Sequence, residues 1–128
     1  MIKFFMSWKD NPNLSKEECE KHYSTVHTEL AKKGLKNAPG FRRYVQNRVV
    51  SHTVINFNEC TNAVEAEPEF DWFAEFYFDS KEDMEKAFSS PEIQACYGDH
   101  KNFMDVNIPA NIKIYEVIER IPLEKKGD

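Results

Sequence analysis

Ile2-Lys3-Phe4-Phe5-Met6-Ser7-Trp8 opens the chain, Leu14-Ser15-Lys16-Glu17-Glu18-Cys19 follows across a turn, and Pro39-Gly40-Phe41-Arg42-Arg43-Tyr44-Val45 comes third. The first stretch reads as a strand with Ile2, Phe4, Met6 and Trp8 on one face and Phe5 on the other. In the second, Ser15 with Glu18 three positions on spells a capping box at the start of a helix. Cys19, Tyr23, Val26 and Leu30 recur at helical spacing and form its apolar stripe. Lys33-Gly34 reads as its end, with Gly34 as a left-handed cap. The third stretch turns at Pro39-Gly40 and becomes a strand over residues 41–50. Phe41, Arg43, Val45, Asn47 and Val49 face one way and Arg42, Tyr44, Gln46, Arg48 and Val50 the other. Both faces thus mix apolar and polar groups, as a strand beside a wet cavity would.

Working outward, Trp72-Phe73-Ala74-Glu75-Phe76-Tyr77-Phe78 is a strand with aromatics on both faces. Asp79-Ser80 opens a second helix, in which Met84, Ala87 and Phe88 are the apolar side. Ser90-Pro91 starts another helical piece, interrupted near Gly98-Asp99-His100, and residues 112–118 form a last strand. Residues 51–70 show no clear pattern beyond a short strand extension at Val54-Ile55-Asn56-Phe57, and such a segment reads as a lid, an interface arm or a plain surface excursion.

The order β-α-β-β-α-β is that of a ferredoxin-like α+β fold with a four-stranded antiparallel sheet. Helices cover one face of such a sheet. Here Phe5, Phe73, Tyr77, Tyr115 and Val117 make the other face apolar too, so a second copy packed sheet to sheet is expected, giving a two-fold homodimer. One domain over residues 1–120 and a charged tail over 121–128 account for the 128 residues.

The net charge of −5 comes with scattered cations, which argues against a nucleic-acid partner. No apolar run approaches the ~18–20 residues needed to cross a bilayer, so no membrane partner is expected. Three cysteines, Cys19, Cys60 and Cys96, without C-x-x-C spacing suit reduced thiols and a cytoplasmic location. Ten Phe, five Tyr and two Trp are enough to fill a core, an interface or a pocket wall.

Among the histidines, His27 is the candidate proton carrier, since an imidazole titrates near neutral pH. A buried, hydrogen-bonded structural histidine is the competing reading. On a regular helix His22 and His27 stand about 140° apart, which separates them and speaks against a shared metal. No metal ligand set and no phosphate loop is evident, so no metal, NAD or ATP is expected. His52 and His100 read as surface residues. Tyr44 and Tyr77 fit substrate-orienting phenols or core aromatics. Glu75 fits a raised-pKa acid or a partner of Arg43 across the sheet, Asp105 a histidine-orienting or loop-capping group.

Leu14-Ser15-x-Glu17-Glu18, Tyr23-x-x-x-His27, Pro39-Gly40-Phe41-Arg42-Arg43-Tyr44, Phe73-Ala74-Glu75-x-Tyr77-Phe78-Asp79-Ser80, Ser90-Pro91-Glu92 and Asp99-x-x-x-Phe103-Met104-Asp105 occur in this order. Together they resemble the EthD family of the dimeric α+β barrel superfamily. The resemblance implies a cofactor-independent enzyme of small organic molecules, with isomerase, dehydratase or cyclase chemistry on an aromatic or lactone-like compound. His27 would be the catalytic residue, with Tyr23, Tyr44, Tyr77 and Phe103 as the substrate-contacting set. A cofactor-free monooxygenase of a phenol, or a non-catalytic dimeric binding or accessory protein, are its alternatives.

Overall fold

The computed structural model describes residues 1–56, 59–107 and 112–127. Ile2–Trp8 forms β1, Phe41–Arg48 forms β2, Trp72–Phe78 forms β5 and Lys113–Val117 forms β6. These four strands pair antiparallel in the order β2-β5-β1-β6, the ferredoxin-like arrangement expected from the element order.

One long helical segment follows β1. It runs as α1 (Lys16–His22), a π-helical turn (Tyr23–His27) and α2 (Thr28–Leu35). Its start is the capping box read from the sequence. Ser15 Oγ accepts from the Glu18 N–H at 3.1 Å, and the Glu18 carboxylate accepts from the Ser15 N–H at 3.1 Å, so two otherwise orphaned donors are satisfied. After β5, Ser80 caps α3 (Lys81–Phe88), and Ser90 with Pro91 starts α4 (Pro91–Asp99). A single 3₁₀ turn, His100–Asn102, ends that helix.

Helices cover the sheet face carrying Phe4, Met6 and Trp8 of β1 and Trp72, Ala74, Phe76 and Phe78 of β5. Trp8, Tyr23, Leu35, Phe78 and Phe103 are among the side chains fully removed from water there. Each such burial stabilises the fold by roughly 1.5–3 kcal/mol against chain entropy. On the opposite face Phe5 stacks on Phe73 at 4.6 Å, with Tyr115 edge-on at 6.0 Å. Between the aromatics lies a charged centre: Lys3 pairs with Glu75 and Glu119, and Tyr77 Oη donates to Glu119 at 3.1 Å. Glu75 therefore pairs with Lys3 rather than Arg43, whose guanidinium lies over the Tyr77 ring. Apolar groups on both faces are present as read from the sequence.

Four local readings need correction. The 51–70 segment contains a hairpin, β3 (Thr53–Asn56) paired with β4 (Glu59–Glu65); Phe57 lies outside the described residues. A register shift between Phe41 and Arg43 turns the Phe41 ring to the helical side, where it meets Phe78 at 5.7 Å. Gly34 lies inside α2 and is no left-handed cap. A Cβ there would come within 2.5 Å of Ile93 Cδ1, so Gly34 is where α2 and α4 approach closely. The left-handed glycine at this corner of the fold is Gly40, at φ +74°.

The fourth concerns the helix stripe. Val26 is 49 % exposed and His27 is buried. The buried set runs Cys19, Tyr23, His27, Ala31, Leu35, a step of four that a regular helix would let drift off the face. The π turn takes up the drift. Its signature is the Thr28 N–H bonded to the Tyr23 carbonyl five residues back, the mark of one extra residue in the turn. Ser24-Thr25-Val26 and Thr28 favour it locally, being weak helix formers. Thr25 Oγ1 donates to the Lys21 carbonyl at 2.5 Å and Thr28 Oγ1 to the Tyr23 carbonyl at 2.6 Å, competing with the regular ladder.

Candidate functional site

The π turn brings His22 and His27 to one carboxylate. His22 Nε2 lies 2.7 Å from Asp99 Oδ1, and His27 Nδ1 lies 3.0 Å from Asp99 Oδ2. Asn102 Nδ2 donates to Asp99 Oδ1 at 2.8 Å. The 140° separation expected for a regular helix therefore does not hold, because the inserted residue returns His27 to the side of His22. Asp99 sits at the last position of α4 and is itself buried. Burial opposes its ionisation, yet hydrogen bonds from Asn102, His22 and His27 outweigh burial and hold its carboxyl below the usual range.

An ionised Asp99 only accepts hydrogen bonds, so His27 must carry its proton on Nδ1. Nε2 then holds the lone pair. No described group hydrogen-bonds Nε2, and it is not among the sealed, unpaired polar atoms of the described residues. Burial lowers the His27 pKa, outweighing the Asp99 hydrogen bond and charge. The imidazole is thus neutral at neutral pH, the form that a general base needs.

Aromatic rings enclose it. Phe103 lies 4.6 Å, His100 5.3 Å and Tyr23 5.7 Å from the His27 ring. His100 is half-buried rather than a surface residue, and burial, with the neighbouring His27, brings its pKa down to about 4. Asp99 and His100 join the cluster without having been singled out as site residues. The signal available for Asp99 was its place in the Asp99-x-x-x-Phe103 pattern, on the helix facing the one that bears His27.

A second feature adjoins this cluster through Tyr23. Its hydroxyl is 2.9 Å from the Tyr44 hydroxyl, and Gln46 Nε2 donates to Tyr44 Oη at 3.1 Å and to Thr28 Oγ1 at 2.8 Å. Burial raises the pKa of both phenols, so both stay protonated. Tyr44, Gln46 and Thr28 line an open cavity of about 590 Å³ between α2 and β2. Leu35 and Phe41 supply apolar wall, and Lys32, Lys36 and Arg42 the charge; Arg43 also lines the cavity, with its guanidinium over the Tyr77 ring on the other sheet face. His27 is not in this wall.

Of the sequence candidates, His27, Tyr23 and Phe103 lie together, and Tyr44 joins them through the Tyr23 hydroxyl. Tyr77 stands apart on the opposite sheet face, held by Glu119. Asp105 Oδ1 accepts from the Asn107 N–H at 3.1 Å, a loop-capping bond. His52 Nδ1 donates to the Glu67 carbonyl. Burial raises the Cys96 thiol to about 11 and also raises Cys19, which disfavours a thiolate nucleophile at either. The Cys60 side chain lies outside the described residues. Among the described residues no group of three or more His, Cys, Asp and Glu side chains is arranged to hold a metal ion. No described helix is long and apolar enough to cross a membrane.

A four-stranded antiparallel sheet in this order, with an imidazole–carboxylate cluster among its helices, defines a ferredoxin-like α+β protein. The chain belongs to the EthD family: the EthD domain matches residues 11–107. No curated protein matches it. Among solved structures, it is similar to an ethyl tert-butyl ether D (EthD) family protein from Bacillus halodurans, at 20 % identity and a TM-score of 0.62, covering 94 % of this chain and 100 % of that one. SnoaB, a cofactor-independent oxygenase from Streptomyces nogalater, is similar at 12 % identity and 0.62, covering 97 % of each chain. A dimeric ferredoxin-like protein of unknown function from Jannaschia sp. is similar at 9 % identity and 0.63, covering 92 % of this chain and 98 % of that one. At these identities the likeness establishes the fold alone.

Proposed function

We propose that the protein is a cofactor-independent enzyme of a small aromatic or lactone-like molecule, with His27 as its proton-transfer residue. The observation that carries this reading is the His27–Asp99 bond. It fixes the imidazole tautomer and leaves Nε2 as the basic atom of a neutral ring. Isomerisation, dehydration and cyclisation each need one proton removed and one returned. Tyr44, a protonated phenol backed by the Tyr23 hydroxyl, supplies hydrogen bonding to a substrate oxygen. A monooxygenase acting on a phenol would use the same base to form the phenolate, and the likeness to SnoaB is what recommends that variant.

One observation favours a second reading, a non-catalytic binding or accessory protein. The cavity wall holds Tyr44, Gln46 and Thr28 but not His27. In that reading the histidine cluster ties α1, α4 and the 3₁₀ turn together. The deciding experiment screens phenols, lactones and aromatic acids by thermal shift against wild type and His27→Ala, then measures turnover of every binder. Binding kept and turnover lost in His27→Ala supports catalysis. Turnover unchanged in His27→Ala overturns it.

The protein also acts, in this proposal, as a homodimer through the outer sheet face. Phe5, Phe73 and Tyr115 there, the last 49 % exposed, gain a cover when two sheets pack together. The Jannaschia relative is described as dimeric. Sedimentation at micromolar concentration tests this: a dimer is expected, converted to monomer by Phe5→Glu. A wild-type monomer refutes it.

A further inference from the structure

We propose that the cavity between α2 and β2 takes an elongated apolar carboxylate whose far end carries a hydroxyl or keto oxygen. The inference rests on the reading above only in taking this cavity as the ligand site; it does not depend on His27 chemistry.

Thr28, Lys32, Leu35 and Lys36 line the cavity from α2. Their spacing of four, three and one places them on one stripe of the helix, and Thr28 and Lys36 are separated by roughly 12 Å along its axis. β2 runs the other way beside them, with Gln46 at the Thr28 end, where the two are bonded at 2.8 Å. The cleft therefore has two chemically different ends.

The Thr28 end is neutral and hydrogen-bonding. Both hydrogens of the Gln46 amide nitrogen are engaged, by Thr28 Oγ1 and Tyr44 Oη. Gln46 Oε1 has no partner among the described residues, which leaves an acceptor for a ligand hydroxyl. The Tyr44 oxygen already receives Gln46 and meets the Tyr23 hydroxyl. With Tyr23 as donor in that pair, the Tyr44 proton is free to meet a ligand oxygen.

The Lys36 end is cationic. Every charged residue in the wall is positive: Lys32, Lys36, Arg42 and Arg43. Arg42 is held by Asp79 through two bonds at 2.6 and 2.8 Å, and Lys32 meets Glu29 at 3.3 Å. Lys36 has no acidic partner among the described residues, whereas the Arg43 guanidinium lies over the Tyr77 ring at 5.4 Å, on the other sheet face and near Glu119. Lysines in a last helical turn also suit the negative helix terminus. That accounts for Lys32 and Lys36 but not for Arg42 of β2 joining them. Nor does it account for the lack of any carboxylate in the wall of a chain with 22 Asp and Glu against 17 Lys and Arg. Leu35, Phe41 and the Tyr44 ring, which stacks on Phe76 at 4.8 Å, make the stretch between the two ends apolar. At about 590 Å³ the space is in the range of ordinary small-molecule sites.

The test is calorimetric titration of the full chain with 4-hydroxycinnamate, its methyl ester and cinnamate, at low and high salt. The acid is expected to bind about 10-fold tighter than the ester at low salt, and to lose most of that advantage in Lys36→Ala and at high salt. The 4-hydroxyl is expected to add several-fold over cinnamate, an increment abolished in Gln46→Leu. An ester that binds as tightly as the acid overturns the proposal, as does the absence of saturable binding by all three. The wild-type comparison of acid and ester needs no variant to fold. Because binding is read rather than turnover, a result here stands whether or not His27 proves catalytic.

Discussion

His22 and His27, five positions apart on one helical segment, hold the two oxygens of a single carboxylate, Asp99, at 2.7 and 3.0 Å. A regular helix would turn these rings away from each other. The extra residue in the Tyr23–His27 turn cancels that rotation, and π turns of this kind are frequent at functional sites. The arrangement ties α1 to α4 and orients His27 Nε2, which no described group hydrogen-bonds.

Asp99→Asn is the sharpest probe of that orientation. The amide keeps the shape of the side chain but replaces an acceptor oxygen with a donor, so one histidine loses its partner. Histidine nitrogen NMR is expected to show His27 as the Nδ1–H tautomer in wild type and as a mixture in Asp99→Asn. For a catalytic His27, turnover of an identified substrate is expected to fall about 10²–10⁴-fold. An unchanged tautomer in the variant would remove Asp99 from the positioning role.

Acid stability provides a second test, because two kinds of group pull in opposite directions. The folded-state pKa of His100, about 4, lies below its unfolded value near 6.5, and that of His27 is also lowered. As pH falls below 6.5 the unfolded chain binds these protons first, so this stability is complete above 6.5 and is lost down to about pH 4. Asp10 does the reverse. Burial and the neighbouring Asp71 raise its pKa from 3.8 to about 6, so the folded chain binds its proton first and stability falls as pH rises across that interval. Denaturant titrations between pH 4 and 7 are therefore expected to show a steeper acid loss in Asp10→Asn than in wild type. The loss is expected to be shallower in His100→Asn, each change being on the order of 1–3 kcal/mol. The opposite ordering of the two variants would contradict these environments.

What the sequence made legible is what local periodicity and capping control. The capping box at Ser15, the strand limits of β1 and β5 and the two-faced apolar sheet all follow from residues within one turn or one pleat of each other. The π turn did not show, because the 100° periodicity used to find the stripe assumes a regular helix; it selected Val26 where His27 is buried. Asp99 was hidden for a different reason. It lies more than 70 positions from both histidines, and nothing local marks an acid at the end of α4 as buried. The β3–β4 hairpin was missed because Val54, Ile55 and Val64 are about half exposed or more, so no buried face imposes a clear alternation.

Gly34→Ala separates packing from helix propensity. Alanine is the better helix former by about 1 kcal/mol, yet its Cβ would meet Ile93 Cδ1 at 2.5 Å and the Ile93 backbone nitrogen at 3.2 Å. Overpacking is expected to win, with a net loss of about 1–3 kcal/mol in denaturant unfolding. Ile93→Val, which removes Cδ1, should recover part of it, and the two changes should be non-additive because the residues touch. A stabilised Gly34→Ala variant would mean that α2 and α4 are farther apart than described.

The π turn itself can be tested by deletion. Removing one residue from the middle of a helix normally rotates everything beyond it by 100°. Removing one from a turn that already carries an extra residue should instead leave a regular helix, with both flanks keeping their faces. Thr25 is exposed, so its deletion costs little packing. The shortened chain is expected to fold with a loss of no more than about 2 kcal/mol, since its main loss is the Thr25 side-chain bond to the Lys21 carbonyl. His22 and the residue now four positions on, the former His27, should both still reach Asp99. Deletion of Glu29, equally exposed but within α2, is the control. It rotates Ala31 and Leu35 out of the core, and burying Leu35 alone is worth roughly 1.5–3 kcal/mol, so that variant is expected to be strongly destabilised or unfolded. Equal damage from the two deletions would show that the extra residue is not what aligns the histidines.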